Sequence, residues 1–271
     1  MKDFSLLLSV YKGEKAAFFI EAFDSIYNQT YKPTEIILVE DGPLTPELYS
    51  AIEKTCNRFN NIIRVPLEKN QGLGVALNIG IKHCQYEYVA RMDTDDICLP
   101  QRFETQMKYL EEHPDIDVLS AFIEEFDSSP DNVVAIRKLP ENHQDIYKFG
   151  KIRNPINHPV VIFRKQAVID AGGYQPFKLF EDYYLWARML KKGSKFHNMQ
   201  QSLLRFRRSP EMIRRRGGLN YAKSEISLQK SLFKIGYISA FRMIKNICIR
   251  FIVRIFPNKI RDWFYLTFLR N

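Results

Sequence analysis

Residues 35–42 read Glu35-Ile36-Ile37-Leu38-Val39-Glu40-Asp41-Gly42, four consecutive large apolar residues between acids, closed by an Asp-Gly turn. An apolar run without alternation is a strand covered on both faces. Upstream, Phe4 to Tyr11 is a second such run, and Glu14 to Gln29 places Phe19, Phe23 and Ile26 at helical spacing, so the unit is β-α-β. Downstream the alternation continues. Leu48, Ala51, Ile52, Thr55 and Phe59 share a helix face, Ile62 to Leu67 is a strand, Leu73, Ala76, Leu77 and Ile81 mark a helix after a Gly-bearing turn, and Tyr86 to Met92 is a strand. Repeated βα units predict a mostly parallel sheet with helices on both faces and ligands outside the carboxyl ends of the strands.

Beyond Pro100, Phe103, Met107 and Leu110 form another helix face, and Ile116 to Phe126 reads as a strand. Residues 127–157 are rich in Pro, Asn and Asp and read as loops around a short helix. A strand over Pro159 to Arg164, a helix over Lys165 to Ala171 stopped by Gly172-Gly173, and a helix over Glu181 to Lys192 follow. The 271 residues show no internal repeat, and 45% hydrophobic residues suffice for one large core. Gly 12 and Pro 13 exclude collagen-like and low-complexity classes. The opening Met1-Lys2-Asp3-Phe4 lacks a signal h-region, which predicts a cytosolic chain. Cys56, Cys84, Cys98 and Cys248 are scattered, with no Cys-x-x-Cys pair, and read as reduced thiols.

Charge divides along the chain. Of the net +9, residues 201–271 carry +13 and residues 1–200 carry −4. An acidic body with a basic tail is not the footprint of a nucleic-acid protein, whose basic residues spread over a recognition fold.

The sharpest local feature is Arg91-Met92-Asp93-Thr94-Asp95-Asp96, directly after an apolar strand. Side chains two apart at a strand end point the same way, so Asp93 and Asp95 can offer hard oxygen ligands to one divalent cation bridging a diphosphate, or can simply cap the next helix. Three further strand ends converge on the same crevice, at Ser9 to Glu14, at Val39 to Gly42 and at Asn70-Gln71-Gly72-Leu73-Gly74. Tyr11 could cover a flat base, Asp41 could accept from its imide N–H, and Gly72 permits close backbone approach beside a helix N-terminus. Taken singly, each is an ordinary edge or turn residue. Gly72-Leu73-Gly74 lacks the third small residue of a dinucleotide fingerprint and follows the third strand, which argues against a dehydrogenase.

In this order, Ser9-Val10-Tyr11, Glu35 to Gly42, Asn70-Gln71-Gly72-Leu73, Arg91 to Asp96 and Phe180-Glu181-Asp182-Tyr183-Tyr184-Leu185-Trp186 resemble an inverting family 2 glycosyltransferase with the GT-A fold, particularly the bacterial enzymes of O-antigen, lipooligosaccharide or capsule synthesis. The resemblance implies an α/β GT-A fold, a Rossmann-like nucleotide-diphospho-sugar transferase with a mixed, mostly parallel sheet and helices on both faces, to which the charge pattern adds a basic C-terminal helical extension. Running from about residue 4 to 208, it implies a catalytic domain over 1–208, with a nucleotide-binding half (1–98) and an acceptor half (99–208); the charge and residue pattern of 209–271 make that stretch a basic amphipathic helical region. By likeness, Tyr11, Glu14 and Asp41 face the nucleoside, with Asn70 and Gly72 beside it, Asp93 takes the ribose side, and Asp95 with Asp93 holds Mn²⁺ or Mg²⁺ on the diphosphate of a UDP-sugar. Asp182 is then the base that takes the acceptor proton, with Glu181 in support. One departure is Glu40-Asp41-Gly42-Pro43, where many members carry a paired Asp and then Gly-Ser.

The activity so implied is transfer of a hexose, galactose or glucose or an N-acetylhexosamine, to a lipid-linked saccharide acceptor, with no nucleic-acid partner. The competing reading is a non-catalytic nucleotide-binding or membrane-surface scaffold whose Asp-x-Asp is structural. His158, next to Asn157, reads first as a satisfied turn histidine and only second as a contact to acceptor or metal. Arg214-Arg215-Arg216 in a glycine-terminated loop is either a solvated charge run or, with Arg214, a clamp on diphosphate. Arg242 to Arg270 mixes apolar and basic residues without a span of about 20 apolar residues, which suits the anionic inner face of the plasma membrane, a docked core helix or a homodimer contact.

Overall fold

The computed structural model describes residues 1–209 and 218–255. Its first half follows the alternation: β1 (Phe4–Val10), α1 (Ala16–Tyr27), β2 (Glu35–Glu40), α2 (Pro46–Cys56), β3 (Ile62–Pro66), α3 (Leu73–His83) and β4 (Tyr88–Arg91). Thr45 caps α2 by accepting from Leu48 N at 3.3 Å, with Pro46 opening the first turn. Then come β5 (Ile97–Cys98), α4 (Arg102–Glu112), β6 (Val118–Phe126), β7 (Val133–Arg137), α5 (His143–Gly150), a 3₁₀ turn (His158–Val160), β8 (Ile162–Arg164), α6 (Lys165–Asp170), α7 (Glu181–Lys191), β9 (Phe196–Arg207), α8 (Gly218–Lys234) and α9 (Ala240–Ile255).

One mixed sheet runs β3-β2-β1-β4-β8-β6-β9-β5, with β7 beside β6. Strands β3, β2, β1 and β4 are parallel neighbours, β8 is antiparallel to β4 and β6, and β9 is parallel to β6. Alternate side chains of each strand enter opposite layers. Leu6, Leu8, Ile36 and Leu38 pack with Phe19, Phe23, Leu48, Ile52, Phe103 and Met107. Leu7, Ile37 and Val39 pack on the other face with Ala76, Leu77, Ile81, Trp186, Leu228 and Leu232. Helices therefore cover both faces, and α8 shares the second layer with α7. Gly80 lets α3 lie directly on the sheet: a β-carbon there would stand 2.8 Å from Val39 Cγ2.

Three strands lie where the pattern gives none. β7 falls in the segment read as loops, and the two-residue β5 follows the acidic motif. β9 is read through a run, Asn198-Met199-Gln200-Gln201-Ser202, whose polarity conceals a strand seated between β6 and β5. Its Asn198 is fully buried and bonds Pro140 O at 2.7 Å and Pro155 O at 3.1 Å. The strand expected over Pro159 to Arg164 opens instead with the 3₁₀ turn.

Helix α9 docks by its polar side. Buried Asn246 donates to Lys151 O at 2.9 Å and to Gln229 Oε1 at 2.8 Å, and Arg250 pairs with Glu225 and donates to Ile152 O. Its outer side carries Phe241, Ile244 and Ile249, exposed by 78%, 58% and 53%. Among the described residues no helix is long and apolar enough to cross a membrane.

Candidate active site

The carboxyl end of β2 is tied to the β3–α3 loop through Asp41. Its Oδ1 accepts from Gln71 N at 2.7 Å, and its Oδ2 accepts from Asn70 Nδ2 at 2.9 Å and Gly72 N at 3.0 Å. Asp41 thus shapes the loop that presents α3. Gly42, at φ +85°, turns so tightly that a β-carbon would stand 2.9 Å from the Lys69 carbonyl carbon. Gly72, at φ +88°, opens α3 with nothing within 4 Å of its missing side chain. First-turn amides lack intrahelical partners, so this open end is suited to an anion. Glu40 does not face the crevice as a free acid: Arg64 forks onto it at 2.5 and 3.2 Å. Tyr11 is exposed, with its ring lying over Gly13.

Beyond β4, one carboxylate oxygen each of Asp93, Asp95 and Asp96 lie within 4.8 Å of one another. The strand ends at Arg91, so a loop and not the pleat brings the acids together. Arg91, fully buried, forks onto Asp93, with Nη1 to Oδ2 at 2.7 Å. Asp96 Oδ1 accepts from Arg207 N at 3.0 Å, while its buried Oδ2 has no hydrogen-bond partner among the described residues. Arg207 also donates to Asp95 O at 2.9 Å, pairs with Glu21, and lies 3.9 Å over the Phe18 ring. Glu14 accepts from Thr94 Oγ1 at 3.0 Å. Burial, with Asp93 and Glu14 alongside, pushes the Asp95 carboxyl up to about 7. Burial, with Asp95 and Asp93, pushes Asp96 well up. Hard oxygen donors, mutual repulsion and an orphaned buried carboxylate oxygen fit a divalent cation, whose charge would reverse these shifts.

Glu181 and Asp182 open α7 across from that loop. The turn before them holds Leu179 at φ 75°, a left-handed conformation that a leucine adopts only under local constraint. Asp182 Oδ2 accepts from Asn154 Nδ2 at 2.6 Å. Burial raises both carboxyls, while the Asn154 bond and the Arg91 charge draw Asp182 back toward ionisation. Glu181 reaches the first turn of α3, where its Cγ would stand 2.7 Å from a β-carbon on Gly74. The open end of α3 thus meets the half-buried acid pair through Gly74 and Glu181, and the Arg91 charge, paired with Asp93, also acts on Glu181 and Asp182.

A glycosyl transferase family 2 model matches residues 5–172. The chain belongs to glycosyl transferase family 2. This glycosyltransferase is 40% identical over 268 residues, 99% of the chain and 97% of the relative, to the UDP-Gal:alpha-D-GlcNAc-diphosphoundecaprenol beta-1,3-galactosyltransferase of Escherichia coli. It is 39% identical to the amylovoran biosynthesis glycosyltransferase AmsE of Erwinia amylovora, covering 97% of each chain. Among solved structures, S. aureus TarS 1-349 in complex with UDP-GlcNAc superposes with a TM-score of 0.69 at 17% identity, covering 98% of this chain and 76% of that one. The fold is GT-A.

Of the residues expected at the site, Asp93 and Asp95 share a cluster to which Thr94 ties Glu14, Asp41, Asn70 and Gly72 form one hydrogen-bonded loop, and Glu181 touches that loop's helix at Gly74. Arg214 lies outside the described residues. His158 is buried with Nε2 at 2.8 Å from Tyr174 Oη and its pKa well below the usual range, through burial first and the Arg91 charge second. Asn154 and Arg207 escape a motif reading of the glycosyltransferase, while Arg91 and Asp96 stand inside the acidic motif with no role given to them by it.

Proposed function

We propose that the glycosyltransferase moves a hexose from a UDP-sugar to a lipid-linked saccharide, forming a β-linkage during synthesis of a bacterial surface polysaccharide. The cluster of Asp93, Asp95 and Asp96, joined to the Glu181–Asp182 pair by the Arg91 charge that acts on both, carries this reading. The 40% identity to a UDP-galactose transferase acting on a diphosphoundecaprenol-linked sugar supports galactose, with glucose and N-acetylhexosamine as the other candidates, and a lipid diphosphate acceptor.

The donor uracil would lie by Tyr11, Glu14 and Asp41, and the diphosphate at the amide end of α3 near Gly72 and Asn70. Asp95 and Asp96, with Asp93, would hold Mn²⁺ or Mg²⁺, which neutralises charge developing on the departing diphosphate. Asp93, locked by Arg91, turns its remaining surface to the ribose side. Asp182 takes the acceptor hydroxyl proton as that oxygen bonds to the anomeric carbon from the face opposite UDP, whose C–O bond breaks. Glu181, raised by burial and set against α3, orders the space between base and donor. Because displacement occurs from the opposite face, an α-linked donor gives a β-linked product.

The outward apolar side of α9, at Phe241, Ile244 and Ile249, and the +13 charge of residues 201–271 support peripheral contact with the anionic cytoplasmic leaflet, where a lipid-linked acceptor resides. A donor screen tests the catalytic reading: purified protein with UDP-galactose, UDP-glucose and UDP-N-acetylglucosamine and a diphospholipid-linked acceptor should release UDP only with Mn²⁺ or Mg²⁺. No acceptor-dependent release with any donor would favour the scaffold reading.

A further inference from the structure

We propose that Asn154 is the positioning residue of the acceptor-side carboxylate, fixing Asp182 in one orientation from a turn built to hold that asparagine still. The inference rests on the reading of Asp182 as base. Asn154 is a small polar residue before Pro155 in a segment with no regular structure, so its side chain would ordinarily be solvated. Here its Nδ2 donates to Asp182 Oδ2 at 2.6 Å, and its own Oδ1 accepts from Ile156 N at 3.3 Å. The second bond fixes which end of the amide faces the carboxylate. Among the described residues no other side chain hydrogen-bonds Asp182; the Tyr183 backbone amide is the other donor.

The turn is unusually constrained for a loop. Gly150 O accepts from Tyr183 Oη at 2.7 Å, Lys151 O from Asn246 at 2.9 Å, Ile152 O from Arg250, and Pro155 O from Asn198 at 3.1 Å. Side chains from α7, α9 and β9 thus satisfy four carbonyls around Asn154 that have no ladder or helix to join. A catalytic group needs its orientation set within a fraction of an ångström, which such a shell provides. The residue type suits the task. A neutral donor stabilises the ionised carboxylate that burial disfavours, beside the Arg91 and Arg137 charges that favour it and the Glu181 carboxyl next to it, and adds direction without a further cation that would weaken the base. An aspartate there would oppose its charge.

The test compares wild type with Asn154→Leu, which keeps the branched outline and removes the donor, and Asn154→Asp, which keeps shape and polarity but reverses the electrostatics. Both should leave UDP affinity and donor KM within about twofold while lowering kcat roughly tenfold or more. Both should also move the acidic limb of the kcat–pH profile upward, Asp further than Leu. Should Asn154→Leu fail to fold, Asn154→Asp alone carries the test. An unmoved limb in a folded variant, or loss confined to KM, would overturn the positioning role. Asp182→Asn separates the two claims. If it keeps wild-type kcat, the base assignment itself is wrong; if it loses kcat while Asn154 variants keep the wild-type limb, only the present inference fails.

Discussion

Glu181 lies against the first turn of α3 so closely that a β-carbon at Gly74 would stand 2.7 Å from its Cγ and 3.2 Å from its Cβ. The glycine lets α3 and the acid pair of α7 meet. Ordinarily Ala replaces Gly in a helix with a gain of about 1 kcal/mol. Gly74→Ala should forgo that gain, leaving Tm near wild type, and lower kcat between about tenfold and a hundredfold by displacing Glu181. Paired calorimetry and initial rates check both halves; a raised Tm with full activity would show that the contact does not matter.

Asp95 sits in the acid cluster, with burial, Asp93 and Glu14 raising its carboxyl to about 7. Asp95→Ala should cut the metal-dependent rate by about a hundredfold or more. Titration calorimetry should show weaker Mn²⁺-supported UDP binding, and EDTA should have little further effect on the residual rate.

His158 supplies a test of pH-dependent stability. It is held neutral in the fold, with its pKa well below the ordinary value, whereas the unfolded chain takes up a proton near pH 6.5. The unfolded state therefore binds more protons as pH falls, and stability present above the ordinary histidine range is lost below it by up to about 1.4 kcal/mol per pH unit. His158→Gln, which can still meet Tyr174, should flatten the decline in Tm between about pH 6.5 and 5. A decline as steep as wild type would assign it to other groups.

The legible part of the fold is the part in which strands are buried on both faces. Ile36 to Val39 and Leu6 to Leu8 announce themselves because every position faces a helix layer. Strand β9 does not, since Asn198 fills an interior position by bonding loop carbonyls, which no apolar period reports. The site divides similarly. Asp93 and Asp95 are readable because chemistry needs acids at a strand end. Asn154 and Asp182 lie 28 residues apart in sequence, and Arg207 reaches Asp96 across 111, so only the folded chain joins them. Glu40 stands in sequence only as a departure from the family's paired Asp, and it takes the fold to show that Arg64 on the neighbouring strand occupies it.

The exposed face of α9 makes the membrane reading measurable. Phe241→Ser combined with Ile244→Ser should shift the protein from anionic vesicles to the supernatant by at least about tenfold in partition, since each buried side chain of this size contributes roughly 1.5–3 kcal/mol. Folding should persist because Asn246 and Arg250, on the docked side, are untouched. High salt should weaken wild-type binding by screening the basic residues. Equal sedimentation of variant and wild type would reject this face as the contact.

The most direct measurement is the anomeric configuration of the product. With UDP-α-galactose, Mn²⁺ and a GlcNAc-diphospholipid acceptor, proton NMR of the purified product should show a new β-galactosyl linkage, its anomeric proton carrying a large trans-diaxial coupling, and none of it should form with Asp182→Asn. An α-linked product, or undiminished β-product from Asp182→Asn, would contradict inversion by that carboxylate.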